Sequence, residues 1–410
     1  MRQIDFTNTQ VASSETARDI NRGVVLNLIR RRQPISCADL ARVSGLQRST
    51  VSLITEQLIQ EKWVVHGPTG RLPRGRRPTL LRLNVTRAIL VADVRPTEIT
   101  VAVADVNGRF LSHEAIPTPP DPRNALVDLT ARIKHLQQVH SDLTFEGIGI
   151  SVSGRFDPIT GHIAFAPNLK WRDFDLKGPL ERATGMRVEL ENAANACVLA
   201  EVWFGHLEKV RDLVVVAVSE GLGTGIFMNG QLAQGRHGMT GEFGHVPLDP
   251  AGPLCNCGGR GCWEVYASNR AALRYYNESS PSPTTNGPSF HDLLALADAG
   301  DTLAVRALEK MAHAIGSGMR MIVAGLAPEE IVIVGELAQQ WKRLGPIIEA
   351  EVAAAVLVGT PPRVRPADTE PSMARLRGAV ALVLQKQFGP SARVVGRPRS
   401  TGRKRAAAFR

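Results

Sequence analysis

Four side chains in one short stretch set the tightest constraint on how this chain can fold. His245 is followed by Cys255, Cys257 and Cys262 within the string GEFGHVPLDPAGPLCNCGGRGCWE. Three of the chain's five cysteines therefore crowd into one loop. The glycines among them allow the sharp reversals that converging side chains need. Three thiolates and one imidazole can close a tetrahedral Zn²⁺ site of the structural kind, with no open position. Free thiols or a labile disulfide are the other readings of the same residues. Cys37 and Cys197 stand alone and read as buried, inert residues. Five cysteines in 410 residues make no disulfide framework, so a reducing, cytoplasmic setting is expected.

The length fits two or three domains. A hydrophobic content of 43% can build real cores, which excludes global disorder. No apolar run is long enough for a membrane span. The first thirty residues carry Asp5, Glu15 and Asp19, so no secretory signal is expected. The formal net charge of +10 is uneven. Residues 1–83 hold 14 Lys/Arg against 6 Asp/Glu, and residues 393–410 hold 7 Lys/Arg and no acid. The stretch between them is left at −5. Basic ends on a mildly acidic body point to nucleic acid, with a solvated surface and tail as the rival reading.

Periodicity predicts a helix over 14–33 with Ile20, Val24, Val25, Leu28 and Ile29 on one face, stopped by Pro34. Ser36 and Asp39 cap a short second helix that Gly45 closes. A third helix fits 47–62, with Val51, Ile54 and Leu58 inward. Trp63–Val65, a basic turn-rich stretch from Gly67 to Arg77, and Leu80–Leu83 complete a winged helix-turn-helix. From residue 89 the period becomes two: strands at 89–94, 98–106 and 109–116, with Asn107-Gly108 as a hairpin turn. Helices at 124–138, 193–204, 290–298, 301–325, 338–357 and 371–388 alternate with strands at 147–154, 213–219 and 331–335. Residues 278–289 read as a surface loop, and the chain from 393 as a disordered tail. The fold class is α/β, with two lobes around a cleft.

These residues resemble the ROK family of bacterial repressors, open reading frames and sugar kinases, over about 14–390. Its zinc signature CxCGxxGCxE stands here as Cys255 to Glu264, and GEFGH precedes it. STVSLITEQLIQE and GRRPTLLRL look like the recognition helix and wing of the repressor branch. The resemblance implies an actin-like, ribonuclease-H-type sugar kinase fold behind the winged helix. It implies cytoplasmic oligomers and an effector sugar in the cleft. It implies sugar contacts at Gly154 and Arg155, Asn168 of AFAPNL, Asn192 of ENAAN, Glu242, His245 and Glu264, with His245 serving metal and sugar together. A sugar presents many hydroxyls, which carboxylates and amides in fixed geometry can satisfy.

Two departures from the family's kinases matter. Where they place an aspartate as general base, this chain has Ala193, and a methyl group takes no proton. Glu191 lies on the other side of Asn192. The kinase phosphate clamp DxGGT is Asp93-Val94-Arg95-Pro96-Thr97 here. Arg95 adds bulk and Pro96 has no N–H to offer a phosphate. The glycine turn Gly221–Gly225 survives.

A helix-turn-helix reads the major groove with the first residues of its second helix. Those are Gln47, Arg48, Ser49, Thr50 and Ser52. Arg48 suits guanine and Gln47 adenine. The wing arginines Arg71, Arg74, Arg76 and Arg77 suit phosphates or a minor groove. A winged helix used for protein contact is the rival reading. The division expected is a winged helix-turn-helix at 1–83, a first lobe at 84–193 plus 371–392, a second lobe with the zinc and sugar residues at 194–370, and a basic tail at 393–410. The function expected is a DNA-binding, sugar-controlled repressor without enzyme activity, cytoplasmic and nucleoid-associated, acting on an operator as a homodimer or homotetramer. A residual or bifunctional sugar kinase, or a repressor controlled by a protein partner, remains open.

Overall fold

The computed structural model describes residues 14–69, 79–157, 160–205, 210–235, 238–280, 287–354, 356, 358–368, 370 and 373–388. The chain divides into two compact units, one of residues up to Asn84 with those from Leu384 onward, the other Val85–Val383.

The first unit holds α1 (Ser14–Arg32), β1 (Ile35–Ser36), α2 (Cys37–Ser44), α3 (Arg48–Gln60), β2 (Val64–Thr69) and β3 (Thr79–Leu83). The three strands form one antiparallel sheet in the order β1-β3-β2. Ser36 Oγ accepts from the Asp39 amide at 3.2 Å and caps α2. Gly45 turns the chain toward α3 at φ 72°, a left-handed conformation that costs glycine nothing. Val51, Ile54 and Leu58 of α3 face inward. The buried face of α1 differs from the expected one. Val25, Leu26 and Ile29 are fully buried, whereas Ile20 and Val24 are 47% and 40% exposed. The true stripe runs with Arg22 and Gly23, because glycine lets α1 come close to Phe388: a Cβ on Gly23 would stand 2.5 Å from the Phe388 carbonyl oxygen. The Phe388 ring meets Trp63 edge-on at 5.7 Å.

The second unit opens with β4 (Arg87–Val94), β5 (Glu98–Asp105), β6 (Phe110–Pro117), α4 (Pro122–Val139) and β7 (Thr144–Val152). There follow β8 (Arg155–Phe156), β9 (His162–Ala166), β10 (Trp171–Asp175), α5 (Lys177–Thr184), β11 (Val188–Asn192) and α6 (Ala193–Phe204). Its second half has β12 (Leu213–Val218), β13 (Leu222–Met228), β14 (Gln231–Leu232), α7 (Glu264–Ala267), α8 (Asn269–Ser279), α9 (Phe290–Asp298) and α10 (Thr302–Leu326). Last come β15 (Glu330–Val334), α11 (Trp341–Ala353), β16 (Arg363–Pro366) and α12 (Ala374–Phe388), whose end belongs to the first unit.

Two five-stranded sheets share one plan: β6-β5-β4-β7-β11 and β14-β13-β12-β15-β16. In each, an antiparallel meander precedes two strands added in parallel by helical crossovers. This repeat is the ribonuclease-H-type lobe used twice. Central strands such as β12 and β15 are buried along their whole length, which is why they read as unbroken apolar runs. Pattern reading passed over β8 to β11. Strands of two to five residues with exposed Arg172 and Asp173 are too short for alternation to resolve. The expected helix at 338–357 begins instead as a tight turn at Glu336–Gln340 before α11.

α6 is the joint of this unit, touching β12 and β13 on one side and β7 and β11 on the other. α12 packs on it with glycine at the contact: a Cβ on Gly378 would stand 1.8 Å from the Ala196 carbonyl oxygen. Gly378→Ala is therefore expected to lower stability by about 1–3 kcal/mol, read as a fall in Tm with the far-ultraviolet spectrum retained. An unchanged Tm would show that these helices do not need their close approach.

Candidate functional site

The loop from Gly241 to Glu264 is tied down at several points. Gly241 has φ 90°, and a Cβ there would lie 2.1 Å from the Thr224 carbonyl oxygen. Short bridges join Pro247 to Cys262 and Leu254 to Arg260, folding the loop on itself. Trp263 is completely buried and its Nε1 donates to the Ala314 carbonyl of α10 at 2.8 Å. This anchor brings His245, Cys255, Cys257 and Cys262 together, with ligand atoms all within 4.8 Å of one another. Cys257 Sγ lies 3.8 Å from Cys262 Sγ, and His245 Nδ1 3.7 Å from Cys255 Sγ. Ligands about 2.3 Å from a tetrahedral centre stand about that far apart, whereas a disulfide needs about 2.05 Å. The donor set and its spacing fit a metal ion, and the cysteines are unbridged.

Beside this cluster opens a cleft of about 390 Å³. Gly154, Arg155, Asn168, Asn192, Glu242, His245 and Glu264 all line it, although they are spread over more than a hundred residues of sequence. Asn192 ends β11 and caps α6. Its Oδ1 accepts from the Ala194 amide at 2.9 Å, and its Nδ2 donates to the Gly154 carbonyl at 3.0 Å. Asn168 Oδ1 accepts from Asn256 Nδ2 of the cysteine loop at 3.1 Å. Glu264 is buried, with Oε2 accepting from the Leu222 amide at 3.0 Å. Arg155 Nη2 donates to Glu242 Oε2 at 2.9 Å, and this bond holds the Arg155 guanidinium above its usual range. The same Glu242 oxygen is 3.8 Å from His245 Nε2. Hence one ring nitrogen of His245 faces the thiols and the other faces a carboxylate, the arrangement that orients a metal-binding imidazole.

Ala193 also lines the cleft. Glu191 is directed elsewhere: its Oε1 accepts from the Asn192 amide at 2.8 Å and from Asn195 Nδ2 at 3.0 Å. Around Arg95 the structure assembles charges that pattern reading missed. Arg95 Nη2 donates to Glu336 at 3.3 Å and its Nε is 3.9 Å from Asp93. Arg375 at the start of α12 donates to Ser219 Oγ at 2.7 Å and lies 3.9 Å from Asp93. Burial pushes the Asp93 carboxyl up against the pull of Arg375 and Arg95. Burial also opposes ionisation of Glu220, yet Arg95 and Arg375 hold its carboxyl below the usual range. The departure at Arg95 was the only sequence signal of this network. Glu220, Glu336 and Arg375 meet it through tertiary packing.

A model of the ROK family matches residues 91–386. The chain belongs to the ROK family. It is 31% identical over 353 residues to the xylose repressor of Bacillus subtilis (strain 168), spanning 84% of this chain and 90% of that protein. A solved ROK family transcriptional regulator, a homologue of the Escherichia coli MLC protein, superposes with a TM-score of 0.77 at 28% identity. It covers 91% of this chain and 98% of its own. A ROK family glucokinase from Streptomyces griseus, solved with glucose and AMPPNP, gives a TM-score of 0.68 at 29% identity. It covers 99% of its own chain but 73% of this one. The fold is thus the two-lobed, actin-like sugar kinase fold.

In this ROK family regulator, Gln47 stands at the N-cap of α3, and Arg48, Ser49 and Ser52 are exposed on its first turns, with Thr50 half-buried. The wing residues Arg71, Arg74, Arg76 and Arg77 and the tail from 393 lie outside the described residues. Cys197 is fully buried, and burial pushes its thiol up to about 12. Cys37 is half-buried rather than buried, with Sγ 3.6 Å from Thr55 Oγ1. Its place at the first turn of α2 leaves one side open. No described helix is long and apolar enough to cross a membrane.

Proposed function

We propose that this protein is a sugar-responsive transcriptional repressor, and that its cleft binds the effector without phosphorylating it. One observation carries the reading. The seven residues expected to hold a sugar line a single cleft, while the position of the kinase base beside them is Ala193. Glu242 and Glu264 supply acceptors for sugar hydroxyls, and Asn168 and Asn192 supply amides that can both give and take. His245 and Gly154 close the same wall, and Arg155 stands over Glu242. Removing water from these groups favours a ligand that replaces every lost hydrogen bond.

His245 Nδ1 and the sulfurs of Cys255, Cys257 and Cys262 are the ligands for one Zn²⁺. Bound there, the ion cross-links the loop that carries Glu242 and Glu264. Its role is structural, because four protein ligands leave no open position.

Phosphoryl transfer lacks its parts. Ala193 takes no proton, and both oxygens of Glu191 are engaged within the protein. Where phosphates need donors, Pro96 has no N–H, and Arg95 is occupied by Glu336 and Asp93.

Residues 1–83 are the DNA reader, with Gln47, Arg48, Ser49, Thr50 and Ser52 in the major groove and Arg74, Arg76 and Arg77 on the backbone or minor groove. The lobes are 84–193 with 371–392, and 194–370. Two subunits paired as a dimer, or two dimers as a tetramer, present readers to operator half-sites in the bacterial cytoplasm. Sugar that prefers one arrangement of the lobes shifts the regulator between binding and non-binding states.

Purified protein is expected to bind a specific duplex and to lose affinity when one member of a broad sugar panel is added. Glu264→Gln should abolish the sugar response with DNA affinity unchanged, both read by fluorescence anisotropy. A wild type indifferent to every sugar, but released from DNA by a protein fraction, would replace the sugar with a protein partner. No sugar-dependent ATP consumption is expected, and Ala193→Asp alone should not raise it, because the Arg95 region is unchanged. Turnover in either form would restore the kinase reading. Metal analysis should find about one zinc per chain. Cys257→Ser should lower both zinc content and Tm, and a fully folded, metal-free protein would contradict the site.

A further inference from the structure

Leu53 is 66% exposed in the second turn of α3. Every other exposed residue of that helix is polar: Arg48, Ser49, Ser52, Glu56, Gln57 and Gln60. The inward face is already filled by Val51, Ile54, Thr55 and Leu58, so Leu53 adds nothing to the core of its unit. A single exposed leucine needs no explanation on an arbitrary surface, but this one occupies the face that would meet DNA.

Charge fixes which part of that face approaches. Glu56 and Glu61 stand toward the C-terminal end of α3, where Glu61 receives Gln57 Nε2 at 2.8 Å and pairs with Arg22. Carboxylates are repelled by phosphates, so the turns around Arg48 and Ser49 go deepest into the groove. Helical spacing sets Leu53 next to Ser49 and Thr50 at that end. Among the base edges of the major groove, the apolar group is the C5-methyl of thymine.

We propose that Leu53 is a specificity residue that reads the C5-methyl of a thymine in each operator half-site. The inference rests on the DNA-reader function proposed above. Full-length protein would first be used to enrich sites from a random, unmethylated duplex pool. Thymine is then the sole source of that methyl, which 5-methylcytosine would otherwise share. Each thymine of the enriched site is next replaced by deoxyuridine, which deletes the methyl and keeps the pairing edges.

One position per half-site should weaken wild-type binding about three- to fivefold, as loss of a buried carbon of about 0.8 kcal/mol implies. Leu53→Ala should keep its Tm, still bind, and lose the distinction between thymine and deoxyuridine there. Wild-type binding insensitive to every replacement, or Leu53→Ala retaining the full sensitivity, overturns the inference. Failure of the wild type to enrich any sequence overturns the reader itself, a result separable from enrichment without methyl dependence.

Discussion

At Gly378, α12 approaches α6 so closely that a methyl group would collide with the Ala196 carbonyl. Gly149 makes the matching allowance on β7, where a Cβ would lie 2.1 Å from the Ala379 carbonyl oxygen. These two contacts seat a pair of helices against both sheets of the larger unit. Because α6 is held there, its N-terminus opens into the cleft with Asn192 as its cap. Everything in the cleft is measured from that fixed point. Asn192 reaches across to Gly154, Asn168 reaches to Asn256, and Glu264 reaches to Leu222.

A cleft built this way has two ends with different chemistry. At one end, the loop anchored by Trp263 gathers His245 and three cysteines, and Glu242 stands against the imidazole. This end is a rigid set of hydrogen-bonding groups suited to recognition. At the other end, Asp93, Glu220 and Glu336 surround Arg95 and Arg375. Buried charges of both signs face one another there, Asp93 at 3.9 Å from both guanidinium groups, while Asp93 Oδ1, Arg95 Nε and Arg375 Nη1 make no hydrogen bond among the described residues. The first end gathers the residues proposed to hold a sugar, and at the second Arg95 and Arg375 face carboxylates of the chain itself.

The chain's patterns carried much of this. Alternation located β4, β5 and β6, unbroken apolar runs located β12 and β15, and a capping pattern located α2. The loop spacing of His245 and the cysteines named the cluster, since residues that must converge leave glycines between them. Pattern reading failed where elements are short or where packing chooses among equal faces. The strands from β8 to β11 are too brief to show a period. On α1, Gly23 and the ring of Phe388 decided which side turned inward.

The sequence alone determined the family, the grouping of His245 with three cysteines, the alanine at position 193 and the positive charge of the two ends, because each depends on residue identity at a given spacing. Only the tertiary structure decided that seven scattered residues share one cleft, that Glu191 is consumed by Asn192 and Asn195, and that Arg95 is neutralised by acids from β4 and from the turn after β15. Those facts depend on distances between chain segments far apart in sequence. Such distances are set by the packing of α6 and α12 between the sheets, and local periodicity holds no record of them.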